Sequence, residues 1–438
     1  MKIAFHTLGC KVNQVETEQL IEEFTRQGYQ VVDFGDPADV YIINTCTVTH
    51  ISDRKSRAML RRAHRTNPQA LVVATGCVAQ VDAEQMAQLD GIGLVVGNQD
   101  KERLVEIVNE FVLARITKKT NRVEPILPAD GLPPIFYSAP HQRTRAFVKI
   151  QDGCQSFCSY CIVPYARGPV RSKAPAIVIA EIEQLLTIGY REIVLTGIHT
   201  GMYGLDLPGW NLNRLLTQIL DHISRDCRIR LSSIEPLELN DGLLALIAGD
   251  RRICRHFHIP LQSGSDRILG SMRRRYNREY YRQLVFKAAE LIPQAAFTTD
   301  VMVGYPTETA ADFQDTCDLI RDLPIYELHV FKYSRRAGTV AADLEPQVGA
   351  MEKQLRSKVL LELGHRKKES FLNSMVGKEL EVLIERKIAD DMYIGITDNY
   401  LEVHVLSAQD LQGQLVRVRL DESGSEYGWG VIIEQDNG

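Results

Sequence analysis

The stretch DGCQSFCSYCIVPYARG, residues 152–168, places three cysteines within eight positions, and we call Cys154, Cys158 and Cys161 the loop triad. A disulfide would use two of these thiols and leave the third over. A structural zinc site takes four protein ligands, and a catalytic zinc site takes three and a water. No fourth cysteine and no histidine stands beside the stretch. What it binds therefore depends on what the rest of the chain contributes.

The loop triad lies near the start of a run in which strands and amphipathic helices are predicted to alternate. The strand RAFVKIQDG (145–153) leads into it, and the last strand of the run is ELHVFKYS (327–334). Six β/α repeats are too few for a closed eight-fold barrel, so we predict an open, partial (β/α)6 barrel. Chemistry in complete barrels sits at the carboxyl ends of the strands, and we expect the same here.

Regions of different pattern flank this barrel. Near-continuous apolar strands alternate with helices over the first hundred residues, which predicts a doubly wound parallel sheet covered on both faces. Five short alternating strands close the chain and predict a small antiparallel β-barrel. We therefore predict an α/β protein with four parts: an N-terminal domain (1–116), a proline-rich linker (117–143), the partial barrel (144–368) and the terminal β-barrel (369–438).

Charge and cysteine usage narrow the class of protein. The chain carries a net charge of −5, but residues 369–438 alone carry −9, so the preceding 368 residues carry +4. Basic clusters in that larger part suit a polyanion, although a solvated helix face explains any single cluster as well. No apolar run approaches the ~18 residues of a membrane span, and no signal peptide is recognised. We expect a cytoplasmic protein whose cysteines are metal ligands or catalytic thiols rather than disulfides.

Three further cysteines share one placement, and we call Cys10, Cys46 and Cys77 the strand-end triad. Each lies just past the carboxyl end of a predicted parallel strand, and such ends share one edge of a sheet, where ligands bind. We therefore expect the three thiols to converge. Buried core thiols are the alternative, because free cysteine is among the most buried residue types. The other cysteines, at positions 227, 254 and 317, have no partner at ligand spacing and are interpreted as core residues.

The chain thus offers two sets of three cysteines, each without a fourth ligand. Thiolates are the usual ligands of iron–sulfur clusters, and four are needed to close one. A cluster held by three cysteines keeps one iron open to a ligand that the protein does not supply. Two such sites are favoured over two zinc sites.

The C-x3-C-x2-C spacing at the end of the first barrel strand resembles the radical S-adenosylmethionine superfamily, and Tyr160 matches the aromatic residue before the third cysteine. With TLGCKVNQVETE (7–18), NTCTVTHISDRKSR (44–57) and the small terminal barrel, the chain resembles the methylthiotransferases over nearly its whole length. That resemblance implies two [4Fe–4S] clusters and S-adenosylmethionine as cofactors. It also implies that the terminal barrel is a TRAM domain, which helps to hold RNA or substrate.

The resemblance assigns a role to each cysteine set. The loop triad would hold the cluster whose open iron chelates S-adenosylmethionine, and reduction would cleave the cofactor to a 5′-deoxyadenosyl radical. The strand-end triad would hold an auxiliary cluster that carries or donates sulfur. No residue is assigned as a catalytic acid or base.

Four positions at later strand ends are weaker candidates for binding the cofactor or lining the substrate cavity. They are Gly197, Glu235, Gln262 and Asp300. Gly197 stands where the resemblance implies contact with the amino group of the cofactor. Helix capping or buried hydrogen bonding is the alternative for the polar three.

Four arginines are candidates for binding RNA or substrate. Arg54, Arg61 and Arg65 fall on one face of the helix predicted after Cys46 and would contact phosphates, although a solvated face gives the same pattern. Arg167, six residues past the loop triad, is the candidate partner of a carboxylate on the substrate or cofactor. The sequence departs from the family where lysine stands at position 173 in VRSKA, so no bidentate role is assigned there.

The resemblance is strongest to the branch that methylthiolates N6-threonylcarbamoyladenosine at C2, beside the tRNA anticodon. Isopentenyladenosine tRNA and a ribosomal-protein aspartate are the alternative targets. Two other classes remain open: a radical enzyme whose second cluster only relays electrons, and a non-catalytic, zinc-loaded RNA-binding protein. The partners implied are tRNA, an electron donor of the flavodoxin or ferredoxin type and a sulfur source, with no membrane.

Overall fold

The computed structural model describes the chain except residues 115–118, 128–130, 136, 138–142, 225 and 434–438. The described chain divides into two compact units. The first unit comprises Met1–Ser138, Lys149–Lys173 and Ser334–Thr339, and the second comprises Ala139–Val148, Ala174–Tyr333 and Val340–Gly438. Among the described residues, no helix is both long enough and apolar enough to cross a membrane.

The first unit begins with alternating strands and helices, as predicted. These elements are β1 (Lys2–Thr7), α1 (Lys11–Arg26), β2 (Gln30–Val32), β3 (Val40–Thr45), α2 (His50–Thr66), β4 (Leu71–Gly76), α3 (Cys77–Val81), α4 (Ala83–Gln88), β5 (Leu94–Val96), α5 (Leu104–Leu113) and β6 (Thr120–Arg122). The strands form one sheet in the order β2-β1-β3-β4-β5-β6, and every neighbouring pair is parallel. The last strand, β6, extends the sheet into the segment interpreted as a linker.

Alternate residues of the central strands bury against opposite helix layers. Ile42 of β3 packs in a cluster with residues of α1 and α5, such as Phe24. Its neighbours Tyr41 and Ile43 pack in a second cluster with residues of α2, α3 and α4, such as Leu60. Covering both faces removes the need for polar alternation, which is why the strands read as continuous apolar runs. The doubly wound prediction is confirmed.

The middle of the chain begins with short elements around the loop triad. They are β7 (Arg145–Lys149), β8 (Gln151–Asp152), α6 (Val163–Arg167) and β9 (Arg171–Ser172). The strands β8 and β9 pair antiparallel, with Gln151 opposite Ser172, and thereby close the cysteine-bearing loop at its base.

The second unit contains most of the repeating βα pattern and the terminal strands. After β7 its elements are α7 (Pro175–Thr187), β10 (Glu192–Thr196), α8 (Leu212–His222), β11 (Arg228–Leu231), α9 (Asp241–Gly249), β12 (His256–His258), α10 (Asp266–Ser271), α11 (Arg278–Leu291), β13 (Ala296–Val303), α12 (Ala310–Asp322), β14 (Ile325–Lys332), α13 (Ala350–Met375), β15 (Glu379–Ala389), β16 (Met392–Thr397), β17 (Glu402–Leu406), β18 (Leu415–Ser423) and β19 (Gly428–Ile432).

Two three-stranded sheets, β11-β10-β7 and β12-β13-β14, supply the six strands of the partial barrel. A single parallel bridge between Ile229 and Ile253 leads from the first sheet towards the second. The strand order 7-10-11-12-13-14 follows the chain order, as successive βα units produce. The α/β fold class and the open barrel are therefore confirmed.

The terminal strands close into a five-stranded barrel in the order β15-β16-β17-β19-β18. An antiparallel barrel was predicted, and four of its five neighbouring pairs are antiparallel, whereas β17 and β19 run parallel, with Val403 opposite Gly428. A closed ring with an odd number of strands cannot alternate direction throughout. One parallel pair is therefore a geometric requirement of five strands.

Candidate functional site

The strand-end triad lies at the carboxyl edge of the parallel sheet. Thr7 of β1 pairs with Asn44 of β3, and Thr45 of β3 pairs with Gly76 of β4, so the three strands end side by side. Each cysteine of the triad follows one of these strands. The structure thus brings to one edge three residues that are far apart in the sequence.

Packing around the thiols shows how close they are. Cys10 is the N-cap residue of α1, and Cys77 is the first residue of α3. Gly9 has φ +103°, and a Cβ on it would lie 2.8 Å from Sγ of Cys46, so a side chain has no room there. Burial raises the pKa of Cys46 to about 11, and the neighbouring Cys77 and Cys10 add to the rise. A thiol with a raised pKa stays protonated near neutral pH, so a metal cluster bound here would displace its proton and hold it as a thiolate.

The loop triad lies between β8 and α6, and all three of its cysteines are partly exposed. The amide of Cys161 donates to the carbonyl of Cys158 over 2.9 Å, which makes a tight turn between the last two thiols. Gly153 precedes the triad at φ +76°, where a Cβ would lie 1.8 Å from the Pro169 carbonyl oxygen. Only glycine fits at that position. The turn and the short spacing put the three thiols on one short loop, as a cluster held by all three would require.

Arg167 is almost completely buried, at 1% exposure, within the first unit. Its two terminal nitrogens donate to the carboxylates of Glu16 and Asp152 and to Oδ1 of Asn13. Burial alone would lower the pKa of Arg167, but the two carboxylates hold it well above the usual value. From its position after the loop triad, Arg167 is expected to pair with a carboxylate on the substrate or cofactor. That interpretation does not fit this placement, because both terminal nitrogens are already engaged by the protein.

Asn13 connects this arginine to the strand-end triad. Its Nδ2 donates to the carbonyl of Leu8 over 2.7 Å and to the carbonyl of Thr45 over 3.1 Å. These carbonyls belong to the segments that lead into the first two cysteines of that triad. Because Oδ1 of the same amide accepts from Arg167, one side chain links both segments to the helix that follows the loop triad.

Glu16 is shared by three cations. Lys101 and Lys149 donate to its two oxygens over 2.7 and 2.8 Å, in addition to Arg167. Burial alone would raise the pKa of Glu16, but these cations hold it well below the usual value. The carboxylate is therefore ionised and fully used inside the protein.

Asp152 is used in the same way. It accepts from Lys149 over 2.7 Å, from Arg167 over 3.2 Å and from Arg171 over 3.3 Å. The two carboxylates are thus shared by four cations, which leaves a surplus of two positive charges in this buried network. We call the six side chains of Glu16, Lys101, Lys149, Asp152, Arg167 and Arg171 the buried charge network.

The network fits anionic clusters at the cysteine sets. Nε of Arg167 is buried and has no hydrogen-bond partner among the described residues. The same guanidinium is close enough for Cys77 and Cys10 to affect its pKa. An unpaired buried donor beside thiolates suits the sulfides of an iron–sulfur cluster, whose charge would offset the cationic surplus. The donor set of each triad, three sulfurs and no nitrogen or oxygen, fits the same group.

A second buried arginine lies against the strand-end triad. Arg336 donates to Oγ1 of Thr47, the residue after Cys46, and lies 3.5 Å from both His50 and Asp53. It is only 8% exposed. The sequence contained no signal for it, because it comes from a segment nearly three hundred residues further along the chain.

The three arginines proposed to contact RNA lie on α2. Arg54, Arg61 and Arg65 are exposed on this helix. Within the part of the chain that the structure describes, none of them forms an ion pair. Their role in RNA binding stays a prediction.

Gly197 and Glu235, the first two candidates at later strand ends, lie in the second unit. Gly197 directly follows β10, and Glu235 lies four residues past β11. Arg274 donates to Glu235, whose pKa is nevertheless raised by burial. The role of Glu235 in binding the cofactor or substrate stays a prediction.

The other two candidates lie in the second unit, where Asp300 belongs to β13 and Gln262, outside the named strands, forms an isolated parallel bridge with Val301 of β13. Gln262 has φ +65°, and its backbone N–H donates to the backbone carbonyl of Asp300 over 2.8 Å. Asp300, which was expected at a strand end, lies inside β13, because that strand continues to Val303. Burial alone would raise the pKa of Asp300, but hydrogen bonds from His258 and His329 lower it to about 2. The two histidines were not singled out from the sequence.

Some residues of the site gave a sequence signal and others gave none. Asn13 and Glu16 stand three positions apart in TLGCKVNQVETE, so they share a helix face directly after Cys10. Lys101, Lys149 and Asp152 gave no signal, because a charged residue that becomes buried by long-range packing looks like a solvated one in the sequence.

Comparison with known proteins agrees with this geometry. Residues 2–97 match the model of Uncharacterized protein family UPF0004, and residues 148–320 match the Radical SAM superfamily. The chain is 40% identical, over 98% of its length and 96% of the relative, to the threonylcarbamoyladenosine tRNA methylthiotransferase MtaB of Bacillus subtilis (strain 168).

Two further comparisons separate family from fold. The chain is 33% identical, over 98% of both proteins, to the tRNA-2-methylthio-N(6)-dimethylallyladenosine synthase of Carboxydothermus hydrogenoformans. The radical S-adenosylmethionine methyltransferase TsrM of Kitasatospora setae shares the fold alone, with TM-score 0.61 and 15% identity over 78% of this chain and 74% of that one. Full-length identity at this level, with two matching family models, shows that the chain belongs to the radical S-adenosylmethionine tRNA methylthiotransferases, of the MtaB type.

Proposed function

We propose that this protein transfers a methylthio group to C2 of N6-threonylcarbamoyladenosine beside the tRNA anticodon. The observation that supports this substrate is that the relatives at 40% and 42% identity are both named for threonylcarbamoyladenosine, whereas the relative named for dimethylallyladenosine is 33% identical, a level shared by other relatives named for threonylcarbamoyladenosine. These comparisons cover nearly the whole chain, so the difference does not come from a missing domain.

Membership of the family brings S-adenosylmethionine and [4Fe–4S] clusters as cofactors, and two clusters are typical of it. In the proposed assignment the loop triad holds the cluster that binds S-adenosylmethionine, and the strand-end triad holds the auxiliary cluster. When bound and reduced, these groups supply a 5′-deoxyadenosyl radical and the transferred sulfur. The convergence of each triad and the unpaired Nε of Arg167 support the assignment.

The chain's own residues position these groups. Asn13 fixes the segments that carry the first two strand-end cysteines, and Arg167 ties that amide to Glu16 and Asp152. Since Asp152 and Arg167 lie on either side of the loop triad in the sequence, one network supports both sets of thiols. Because the network is buried, water does not compete for its hydrogen bonds, and the segments that carry the cysteines keep a fixed geometry.

The proposed partners follow from the chemistry. Arg54, Arg61 and Arg65 would contact tRNA phosphates, and an electron donor of the flavodoxin or ferredoxin type would reduce the clusters. A sulfur source must replace the atom that leaves with each product. We infer from these proposed partners that the reaction takes place in the cytoplasm.

The substrate is tested with reconstituted enzyme and two tRNAs, one carrying threonylcarbamoyladenosine and one carrying isopentenyladenosine. The first modification ends in a carboxylate and a hydroxyl, whereas the second is apolar. A site built to pair polar groups rejects an analogue that lacks them by as much as about 10⁴-fold. Nucleoside mass spectrometry should therefore find the 2-methylthio product from the first tRNA alone, and the Cys154→Ala variant is the blank. Equal yields, or a preference for the prenylated tRNA, would reject the proposed substrate.

A further inference from the structure

Three side chains on neighbouring strands of the second unit converge, and we call His258, Asp300 and His329 the histidine–aspartate group. His258 is the last residue of β12, whereas Asp300 lies inside β13 and His329 inside β14. Nε2 of His258 and Nδ1 of His329 each lie 3.2 Å from Oδ1 of Asp300. All three ligand atoms lie within 4.8 Å of one another. Two imidazole nitrogens and one carboxylate oxygen therefore face a common point.

The sheet register explains why these side chains meet. Asp300 of β13 lies opposite His329 of β14, and His258 of β12 lies opposite the residue two positions earlier in β13, on the same face. The other face of β13 packs on helices, since Thr299 is completely buried and accepts a hydrogen bond from Tyr281 of α11 over 3.1 Å. The histidine–aspartate group therefore lies on the inner face of the open barrel, where all three side chains are at least partly exposed.

The distances in the group match those between the ligands of one metal ion. Transition-metal ions bind imidazole nitrogen and carboxylate oxygen at about 2.0–2.2 Å. Two ligands at that distance lie about 3.0 Å apart at a right angle and about 3.4 Å apart at the tetrahedral angle. Both N···O distances in the group, at 3.2 Å, fall between these values. Two imidazoles and one carboxylate are also the ligand set of known iron and zinc sites that keep open positions.

Hydrogen bonding and charge prepare the ligand atoms. Nδ1 of His258 lies 2.8 Å from Oγ1 of Thr298, which is 1% exposed. When Nδ1–H donates to this hydroxyl, Nε2 carries the lone pair that faces Asp300, and metal-bound histidines usually engage their second nitrogen in this way. Burial would raise the pKa of Asp300, but the two histidines lower it to about 2, so this carboxylate is ionised at neutral pH.

We propose that the histidine–aspartate group binds a divalent transition-metal ion whose open positions take the carboxylate of the threonylcarbamoyl group. The substrate part rests on the proposed function, whereas the metal part does not. Three protein ligands leave about three positions of a six-coordinate ion to water or substrate. The carboxylate and hydroxyl of the threonyl group form a chelate with such an ion, whereas an isopentenyl group offers no ligand atom. Barrel enzymes also bind their substrates towards the carboxyl ends of the strands.

The test of the metal site is a titration of the reconstituted full-length protein with manganese(II) chloride, after a chelator has removed metal outside the clusters. Electron paramagnetic resonance measures free Mn²⁺, because oxidised [4Fe–4S] clusters give no signal. We expect one saturable site per chain in the wild type. His329→Ala and Asp300→Asn should each raise the Kd for Mn²⁺ at least about tenfold, because each removes one of three ligands, and the iron content should stay unchanged.

A matched control separates this site from other histidines that pair with a carboxylate. His365 lies 3.3 Å from Glu426 at the surface, and His365→Ala should leave the titration unchanged. The side chain of His329 is 46% exposed, so its replacement should not disturb folding. If Asp300→Asn does not fold, His329→Ala therefore decides the result alone.

Water proton relaxation in the Mn²⁺-loaded protein tests the open positions. The nucleoside N6-threonylcarbamoyladenosine should lower the relaxation enhancement by at least about a third, because it displaces one or more of about three bound waters. Isopentenyladenosine at the same concentration should leave the enhancement unchanged. Equal effects of the two nucleosides, or no effect of either, would overturn the substrate part of the proposal.

The metal part is overturned by the absence of saturable Mn²⁺ binding, or by binding that His329→Ala leaves unchanged. The group would then be only a hydrogen-bonded set of side chains. The titration uses neither tRNA nor S-adenosylmethionine. Failure to modify tRNA that carries threonylcarbamoyladenosine would therefore reject the proposed function and leave the metal site standing.

Discussion

Glu16 is a buried carboxylate with three cationic partners, because Lys101, Lys149 and Arg167 all donate to it. Replacing it by glutamine should leave these cations with only Asp152 as a counter-charge. Removing one partner of a buried ion pair costs about 3–5 kcal/mol of unfolding free energy. Urea unfolding of the cluster-free protein measures this loss, and Glu106→Gln, at an exposed pair, is the control with almost no expected effect.

The same carboxylate predicts a direction for the pH dependence of stability. Its pKa is lowered in the folded protein, so its contribution is fully present above the usual glutamate pKa and is lost as the pH falls towards the lowered value. The wild type should therefore lose stability on acidification more steeply than Glu16→Gln. Parallel curves for the two proteins would show that Glu16 is not paired as described.

Cys154→Ala should abolish the cleavage of S-adenosylmethionine to deoxyadenosine. Two thiolates cannot hold a cluster that keeps one iron available to the cofactor. Chromatographic measurement of deoxyadenosine tests this, and Cys317→Ala is the matched control, because that cysteine is buried in the second unit and both triads belong to the first. Wild-type cleavage by Cys154→Ala would remove the loop triad from the radical chemistry.

Cys46→Ala should have a different effect from Cys154→Ala. The loop triad is retained, so some deoxyadenosine should still form, whereas methylthiolation should stop with the loss of the auxiliary cluster. Iron should fall to about half the wild-type content, as expected when one of two clusters is missing. Full methylthiolation by this variant would mean that the strand-end triad consists of core thiols.

At the scale of elements, the helix α2 carries three exposed arginines that are predicted to bind tRNA together. Reversing Arg54, Arg61 and Arg65 to glutamate should weaken tRNA binding and reduce the slope of log K against log salt by about one for each phosphate that is no longer bound. Filter binding over a range of salt concentrations measures both quantities. Charge reversal of Arg103 and Arg122, which form surface ion pairs elsewhere in the unit, is the control. An unchanged slope would make the α2 stripe a solvated face.

The elements that sequence could predict are those whose pattern is local. The strands β3 and β4 are continuous apolar runs, and each is followed within two residues by a strand-end cysteine, so both the sheet and the convergence of thiols could be inferred. The direction of one strand pair in the terminal barrel could not be predicted from the sequence. Its parallel pair depends on how the last strand returns to β17, which is a long-range property.

Long-range pairing also explains why Arg167 was misinterpreted. Its position after the loop triad suggested contact with a substrate, but its partners include Asn13 and Glu16, about 150 residues earlier in the chain. Sequence spacing identifies residues that share a helix face or a strand end. It does not identify which buried carboxylate an arginine meets, because that depends on packing between elements.

At the scale of the whole second unit, the described residues of the terminal barrel share one hydrophobic core with the strands and the helix that precede them. Ala296 of β13 and Tyr326 of β14 belong to the same buried cluster as Leu372 of α13 and Val403 of β17. The terminal barrel, which resembles an RNA-binding module, therefore shares its hydrophobic core with β13, β14 and α13.

Hydrogen bonds join the same elements. Arg228 of β11 donates to the carbonyl of Ile396 over 2.8 Å, and Arg230 donates to the carbonyl of Asp398 over 2.9 Å. Glu192, which is completely buried, pairs with both arginines. Loss of the barrel would remove the acceptors for two buried guanidinium groups and expose the apolar residues that face it.

A chain truncated after Val376 should therefore fail to give a stable second unit. Exposed Tyr326 and Leu372 would form an apolar patch that promotes self-association. Size-exclusion chromatography should find mainly aggregates, and the remaining monomer should unfold at a lower urea concentration than the full chain.

A full-length variant with Arg417→Glu and Arg419→Glu is the control, because it changes the charge of the barrel surface without removing the shared core. It should stay monomeric and cleave S-adenosylmethionine normally. A truncated chain that is monodisperse, with wild-type unfolding and wild-type deoxyadenosine formation, would show that the barrel is an independent module.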